Sequence, residues 1–245
     1  MVAGTSGGVL LTPAQADAQH QHPGVHTLAA EGGEGGEGGE GGHGSQAASS
    51  SDDQLVVLAQ MQGHLLVAQE LIQQRNFSAA EAHVGHPVDE LYGAVDPLLQ
   101  ARRVPPFLAS LESLRQQVRL NPTAPATRQQ LLAAQRAINQ AAQAAVPTTV
   151  RNQASTQLAV ARGLAAAACD EYAAAVAEGR VVETIEYQDA RGFLLEAQRL
   201  LSTMTSAQPG ALQTVRAMLR AFPSAQPPQR TVLSPEQLRR LQAQL

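Results

Sequence analysis

The sequence predicts an all-α protein, a helical bundle of antiparallel helical hairpins with a disordered N-terminal leader. Three observations carry that reading. Apolar residues make up 44% of the chain, yet Ala supplies many of them, aromatics reach only 3%, and Trp is absent. Small side chains let helix axes approach closely and Ala has the best helix propensity, while the β-branched and aromatic clusters that favour sheets are scarce. Capping boxes and proline or glycine breakers recur at helical intervals from Ser51 onward. Upstream of Ser51 the composition changes to Gly, Glu and His.

Leu10-Leu11-Thr12-Pro13-Ala14-Gln15-Ala16, followed by Asp17, has the form of the end of a secretory signal with an A-x-A cleavage site after Ala16. Residues 1–16 are therefore expected to be the remnant of such a signal, without its positive n-region or full apolar core. A plain small-residue tail is the competing reading. The localisation that follows is periplasmic or secreted. Over residues 17–50, Glu31, Glu34, Glu37 and Glu40 are separated by glycine pairs and flanked by His20, His22, His26 and His43. Such a segment cannot bury apolar surface and should stay disordered, either as a weak metal tether or as a solvated linker.

The helical region is expected over residues 51–245. A box at Ser51-Asp52-Asp53-Gln54 opens a helix to about Gln74, and Ser78-Ala79-Ala80-Glu81 opens a second to about Gln100, kinked or divided by Pro87. A third helix follows Pro105-Pro106 and ends near Asn121-Pro122; a fourth runs from Ala126 to Ala145. A long fifth spans Thr148 to Glu178 and stops at Gly179, and a sixth runs from Glu183 to about Ser206. Short helices follow at 210–221 and, after Ser234, at 235–244. Candidate sub-units are 51–122 and 126–222, with the short C-terminal helix added.

Several function classes drop out. A formal charge of −4 gives no reason to expect nucleic-acid binding, and all seventeen cations are Arg. One cysteine, Cys169 in an Ala-rich run, permits neither an internal disulfide nor a thiolate zinc site. After the leader no stretch approaches the roughly 20 apolar residues that span a bilayer. No G-x-S-x-G elbow, P-loop or dinucleotide fingerprint appears, so no enzyme is expected. Outside the leader no Glu lies three residues before a His, which argues against a standard di-iron carboxylate site.

Outside the leader there are three histidines, His64, His83 and His86, and all fall in the first predicted hairpin. His64 shares a stripe with Val57, Met61, Ala68 and Leu71; His83, His86 and Glu90 share a face of the next helix. Counting outward from the turn at Asn76 puts His64 level with His86 and Glu90, and Glu70 level with His83. Imidazoles and a carboxylate converging between helices are how bundles assemble sites for iron, copper, manganese or zinc. The candidate metal ligands are thus His64, His83, His86 and Glu90, with Glu70 and Tyr92 as outer partners. The competing reading is a set of buried histidines each satisfied by a helix carbonyl or a carboxylate, with His86–Glu90 as a simple i,i+4 pair. A second candidate is an acidic cluster of Asp170, Glu171, Glu186 and Asp189, able to hold a hard cation through oxygens or simply to form a solvated turn.

The run Asp170-Glu171-Tyr172, Ala175-Val176, Glu178-Gly179-Arg180-Val181, Glu186-Tyr187 resembles the D-Y…A-V-x-D-G-x-V…E-Y pattern in the periplasmic helical extension of bacterial high-affinity iron permeases. Gly63-His64-Leu65 and Gly85-His86-Pro87…Glu90-Leu91-Tyr92 resemble uncharacterised exported bacterial helical proteins that carry a similar Gly-Glu leader. The permeases' R-E-x-x-E transport motif is not reproduced at Arg191–Glu196, so the chain is not expected to span a membrane or transport metal itself. What the resemblance implies is a periplasmic metal-binding or metal-delivery accessory protein linked to iron uptake, with iron favoured over copper or zinc and a metal permease as partner. The alternative is a non-catalytic envelope scaffold that docks on a membrane partner.

Overall fold

The computed structural model describes residues 50–204 and 209–245, so the expected signal remnant and leader lie outside the described residues. All the described residues belong to one compact unit within 40–245. Their regular secondary structure is helical apart from one two-stranded hairpin.

Helix α1, Ser51–Gln73, begins one residue earlier than the sequence suggests. Ser50 is its cap: the hydroxyl accepts from the Asp53 amide at 3.1 Å, and the Asp53 carboxylate accepts from the Ser50 amide at 3.0 Å. Asn76, not Ser78, caps α2, Phe77–His86, by accepting from the Ala79 amide. At Pro87 the backbone neither breaks nor simply kinks. It widens into a π-helical turn over Pro87–Leu91, in which the Tyr92 amide reaches back to the Pro87 carbonyl, and then continues as α3, Tyr92–Ala101. Helices α4, Leu108–Leu120, and α5, Pro125–Ala145, follow near their expected bounds.

The expected fifth helix is divided. A single turn, α6, Thr148–Arg151, precedes α7, Ala154–Ala175. α7 ends short of Gly179 because the chain folds into a hairpin of β1, Val176–Ala177, and β2, Arg180–Val181. Glu178 and Gly179 both take positive φ, 52° and 71°, the pair of values that a tight hairpin turn demands. α8, Thr184–Ser202, α9, Pro209–Met218, with a 3-10 turn to Ala221, and α10, Pro235–Gln242, complete the chain. Ser234 and Gln237 form the expected reciprocal cap of α10.

Two apolar cores meet on α1. Leu55 and Ala59 join α7, α8, α9 and α10, while Leu58, Met61, Leu65 and Ala68 join α2, α3, α4 and α5. A helix that faces apolar neighbours on most sides needs apolar residues all round. For that reason α1, contrary to the sequence-based expectation, is long and apolar enough to cross a membrane by length and composition. Of that apolar window, 72% is buried inside the fold, which accounts for its character as a core helix.

Candidate metal centre

α1 and α8 cross at two glycines. A Cβ on Gly192 would lie 2.5 Å from the Gly63 carbonyl oxygen, and one on Gly63 would lie 2.9 Å from the Gly192 backbone. This backbone contact sets the neighbours of the crossing against each other: His64 follows Gly63, and Asp189 lies one turn before Gly192. The ring edge of Phe193 packs on His64 at a centroid distance of 5.1 Å. α2 packs beside α1 and presents His83 and His86, three residues apart, to the same point.

The result is a group of His64, His83, His86 and Asp189, with one ligand atom from each lying within 4.8 Å of the others. His64 Nδ1 lies 2.8 Å and His83 Nδ1 2.9 Å from Asp189 Oδ1, and His86 Nδ1 lies 3.3 Å from Oδ2. His83 is wholly buried, and Asp189 and His64 nearly so; the His86 side chain retains 14% exposure. Burial pushes His64 below the ordinary imidazole range against the opposing pull of Asp189. Burial alone would raise Asp189, but the neighbouring His64 and His83 outweigh it and hold the carboxyl well below the usual range.

Gln188 fixes the proton pattern of the group. Its Nε2 donates to the Ala225 carbonyl at 3.0 Å, which turns Oε1 toward His83 Nε2 at 2.8 Å. Because Oε1 can only accept, His83 Nε2 must carry a hydrogen. The Nδ1 lone pair of neutral His83 then confronts a carboxylate oxygen at 2.9 Å, acceptor against acceptor. Something positive must stand between them, either a second proton on His83 or a cation. His64 Nδ1 is likewise buried against Asp189 Oδ1, at 2.8 Å. One cation would satisfy all three nitrogens at once, whereas a proton satisfies one. Imidazoles that bind metal through one nitrogen and donate from the other to a fixed acceptor are the usual arrangement.

Three of the four expected ligands, His64, His83 and His86, are thus brought together. Glu90 is not among the four residues whose ligand atoms lie within 4.8 Å of one another; it lies half-buried in the π turn. The fourth member is Asp189, which the sequence placed in the acidic cluster. That cluster does not assemble as a metal-binding group among the described residues. Asp189 is buried among the histidines, and Asp170 pairs with Arg239 of α10 at 3.0 Å; Glu171 and Glu186 stay outside the group.

Neither expected outer partner touches the group directly. The Tyr92 hydroxyl accepts from the Phe107 amide at 3.3 Å. Glu70 pairs with Arg191 at 2.8 Å and accepts from the Ala225 amide at 2.9 Å, so it steadies the residue whose carbonyl orients Gln188. Arg191 also donates to the Phe222 carbonyl. Gln188 was missed altogether. Its only signal in the sequence is adjacency to Asp189.

Two other features stand apart from the group. Cys169 is buried and its thiol is pushed up to about 11, chiefly by burial, so it stays protonated at neutral pH. A cavity of about 190 Å³ between α1, α5, α7 and α8 is walled by Leu58, Ile138 and Val160, with the Glu196–Arg199 pair at its edge.

Residues 147–245 match the family model of the iron permease-associated 4-helix bundle domain. The run from Asp170 to Tyr187 that resembles the iron permease extension lies within this match, as do Gln188 and Asp189. The three histidines precede it. No curated protein matches the chain, and no solved structure does.

Proposed function

We propose that the protein is a non-catalytic metal-binding accessory of iron uptake, acting in the periplasm or outside the cell, with His64, His83, His86 and Asp189 as the ligands and iron as the cargo. The observation that carries this reading is the convergence of three histidines on Asp189, with His83 Nδ1 facing Asp189 Oδ1 and a proton or a cation needed between them. Imidazole and carboxylate together suit iron, with copper and zinc as competitors for the same donors. The match over residues 147–245 supports a link to iron permeases, and the recipient on this reading is a membrane permease. His86, the most exposed ligand, is the point at which an ion enters and leaves.

The test is metal content by inductively coupled plasma mass spectrometry on full-length protein purified from its native compartment, beside the His64→Ala/His86→Ala double variant. The expected result is about one ion lost per chain in the variant. Equal metal content in both proteins, or none in either, sinks the proposal.

A further inference from the structure

We infer that the histidine–aspartate group selects divalent over trivalent ions, so that its cargo is ferrous and not ferric. The inference rests on the metal-binding reading and follows from the charge of the group. Its ligand atoms come from three imidazoles and one carboxylate, so a neutral-imidazole site offers a single negative charge. The part-buried ion pair of Glu70 with Arg191 adds no net charge, and the partner behind His83 is the neutral amide of Gln188. A divalent ion leaves the site with one positive charge; a trivalent ion leaves two, among side chains that are almost entirely shielded from water. An uncompensated buried charge is penalised heavily, on the order of 100-fold or more in binding. Ligand chemistry acts in the same direction, because imidazole nitrogens suit borderline divalent ions whereas small trivalent ions favour several anionic oxygens.

The experiment uses cobalt(II) and gallium(III), redox-inert stand-ins for ferrous and ferric iron. Full-length protein is titrated with cobalt(II) under nitrogen while the visible d–d absorption is followed. The same titration of the His64→Ala/His86→Ala variant is subtracted to remove binding by the leader histidines. The expected result is a one-ion cobalt spectrum that zinc(II) or ferrous iron displaces and gallium(III) citrate leaves intact at about 100-fold excess. Displacement by gallium(III) overturns the inference while leaving the metal site standing. Absence of any histidine-dependent cobalt signal overturns both. A second variant isolates the charge: His86→Asp adds a carboxylate at the most exposed ligand position and is expected to gain gallium(III) binding by tenfold or more, on the order of the penalty relieved. A folded His86→Asp protein that binds gallium(III) no better than wild type shows that charge does not set the selectivity, and overturns the inference.

Discussion

Replacing Gln188 by Leu removes the acceptor that holds the Nε2 proton of His83 while keeping a similar volume. Freed from that restraint, His83 can place its proton on Nδ1 and donate to Asp189, and the acceptor conflict disappears. Metal affinity is expected to fall by about 10- to 100-fold with the fold intact, as for other partners that orient a ligating histidine. Competition against a chelator of known affinity measures it, and unchanged affinity would remove Gln188 from the account. At this scale the sequence was partly legible. His64, His83 and His86 could be placed because local helical spacing and one short turn decide where they point. Glu90 falls in the π turn just after His86, a winding that local spacing does not announce. Asp189 was grouped with Asp170, Glu171 and Glu186, its neighbours along the chain. Its true partners lie more than a hundred residues away, a distance over which periodicity carries no information.

The helix crossing of α1 with α8 depends on two glycines at backbone contact. Gly192→Ala forces the chains apart at the Gly63 carbonyl and is expected to destabilise the protein by about 1–3 kcal/mol. It should also weaken metal binding, because Asp189 retreats from His64. Gly93→Ala in α3 is the control: a Cβ there meets nothing within 4 Å, and the change should be neutral or stabilising in a urea unfolding curve. The α2–α4 contact is fastened electrostatically. Arg115 reaches Glu81 at 2.7 Å and Asp89 at 2.7 Å, and Arg119 reaches Glu81 at 2.8 Å. Burial alone would raise Glu81, but these guanidinium partners outweigh it and leave its carboxyl below the ordinary value. A depressed carboxyl stabilises the fold above its unfolded value of 4.5 and loses that contribution as pH falls through the lower folded value. Glu81→Gln should therefore lower the melting temperature at pH 7 and make little difference near pH 3. A constant offset across that range would show that the loss is one of packing.

Over the whole molecule, the two cores that share α1 should unfold together, in one transition followed by circular dichroism. The candidate ligands come from α1, α2 and α8, so an ion binds only the assembled state. At about 100 times its dissociation constant it should add about 2.7 kcal/mol. For a chain of this size that is a rise of roughly 5–10 °C in melting temperature. Calorimetry before and after chelation measures it, and the rise should vanish in the His64→Ala/His86→Ala variant. Helix order was readable from caps and breakers, because those signals are local; the division of the expected fifth helix into α6 and α7 was not. The hairpin at Glu178-Gly179 was not: only Gly marks the turn, and Glu in a positive φ is visible in coordinates alone. The all-round burial of α1 was equally hidden, since it depends on which helices return to it.

His83 and Asp189 are separated by 106 residues along the chain. A ribosome or translocon delivering the chain from its N-terminus therefore releases the histidines well before their carboxylate partner. Until α8 has emerged and docked against α1, the nascent chain has imidazoles but no pocket, and holds an ion only as loosely as any unstructured peptide. On the proposed reading, loading would be the last act of assembly. The metal bound would be the one abundant where folding finishes, so the place where the chain closes would set the cargo.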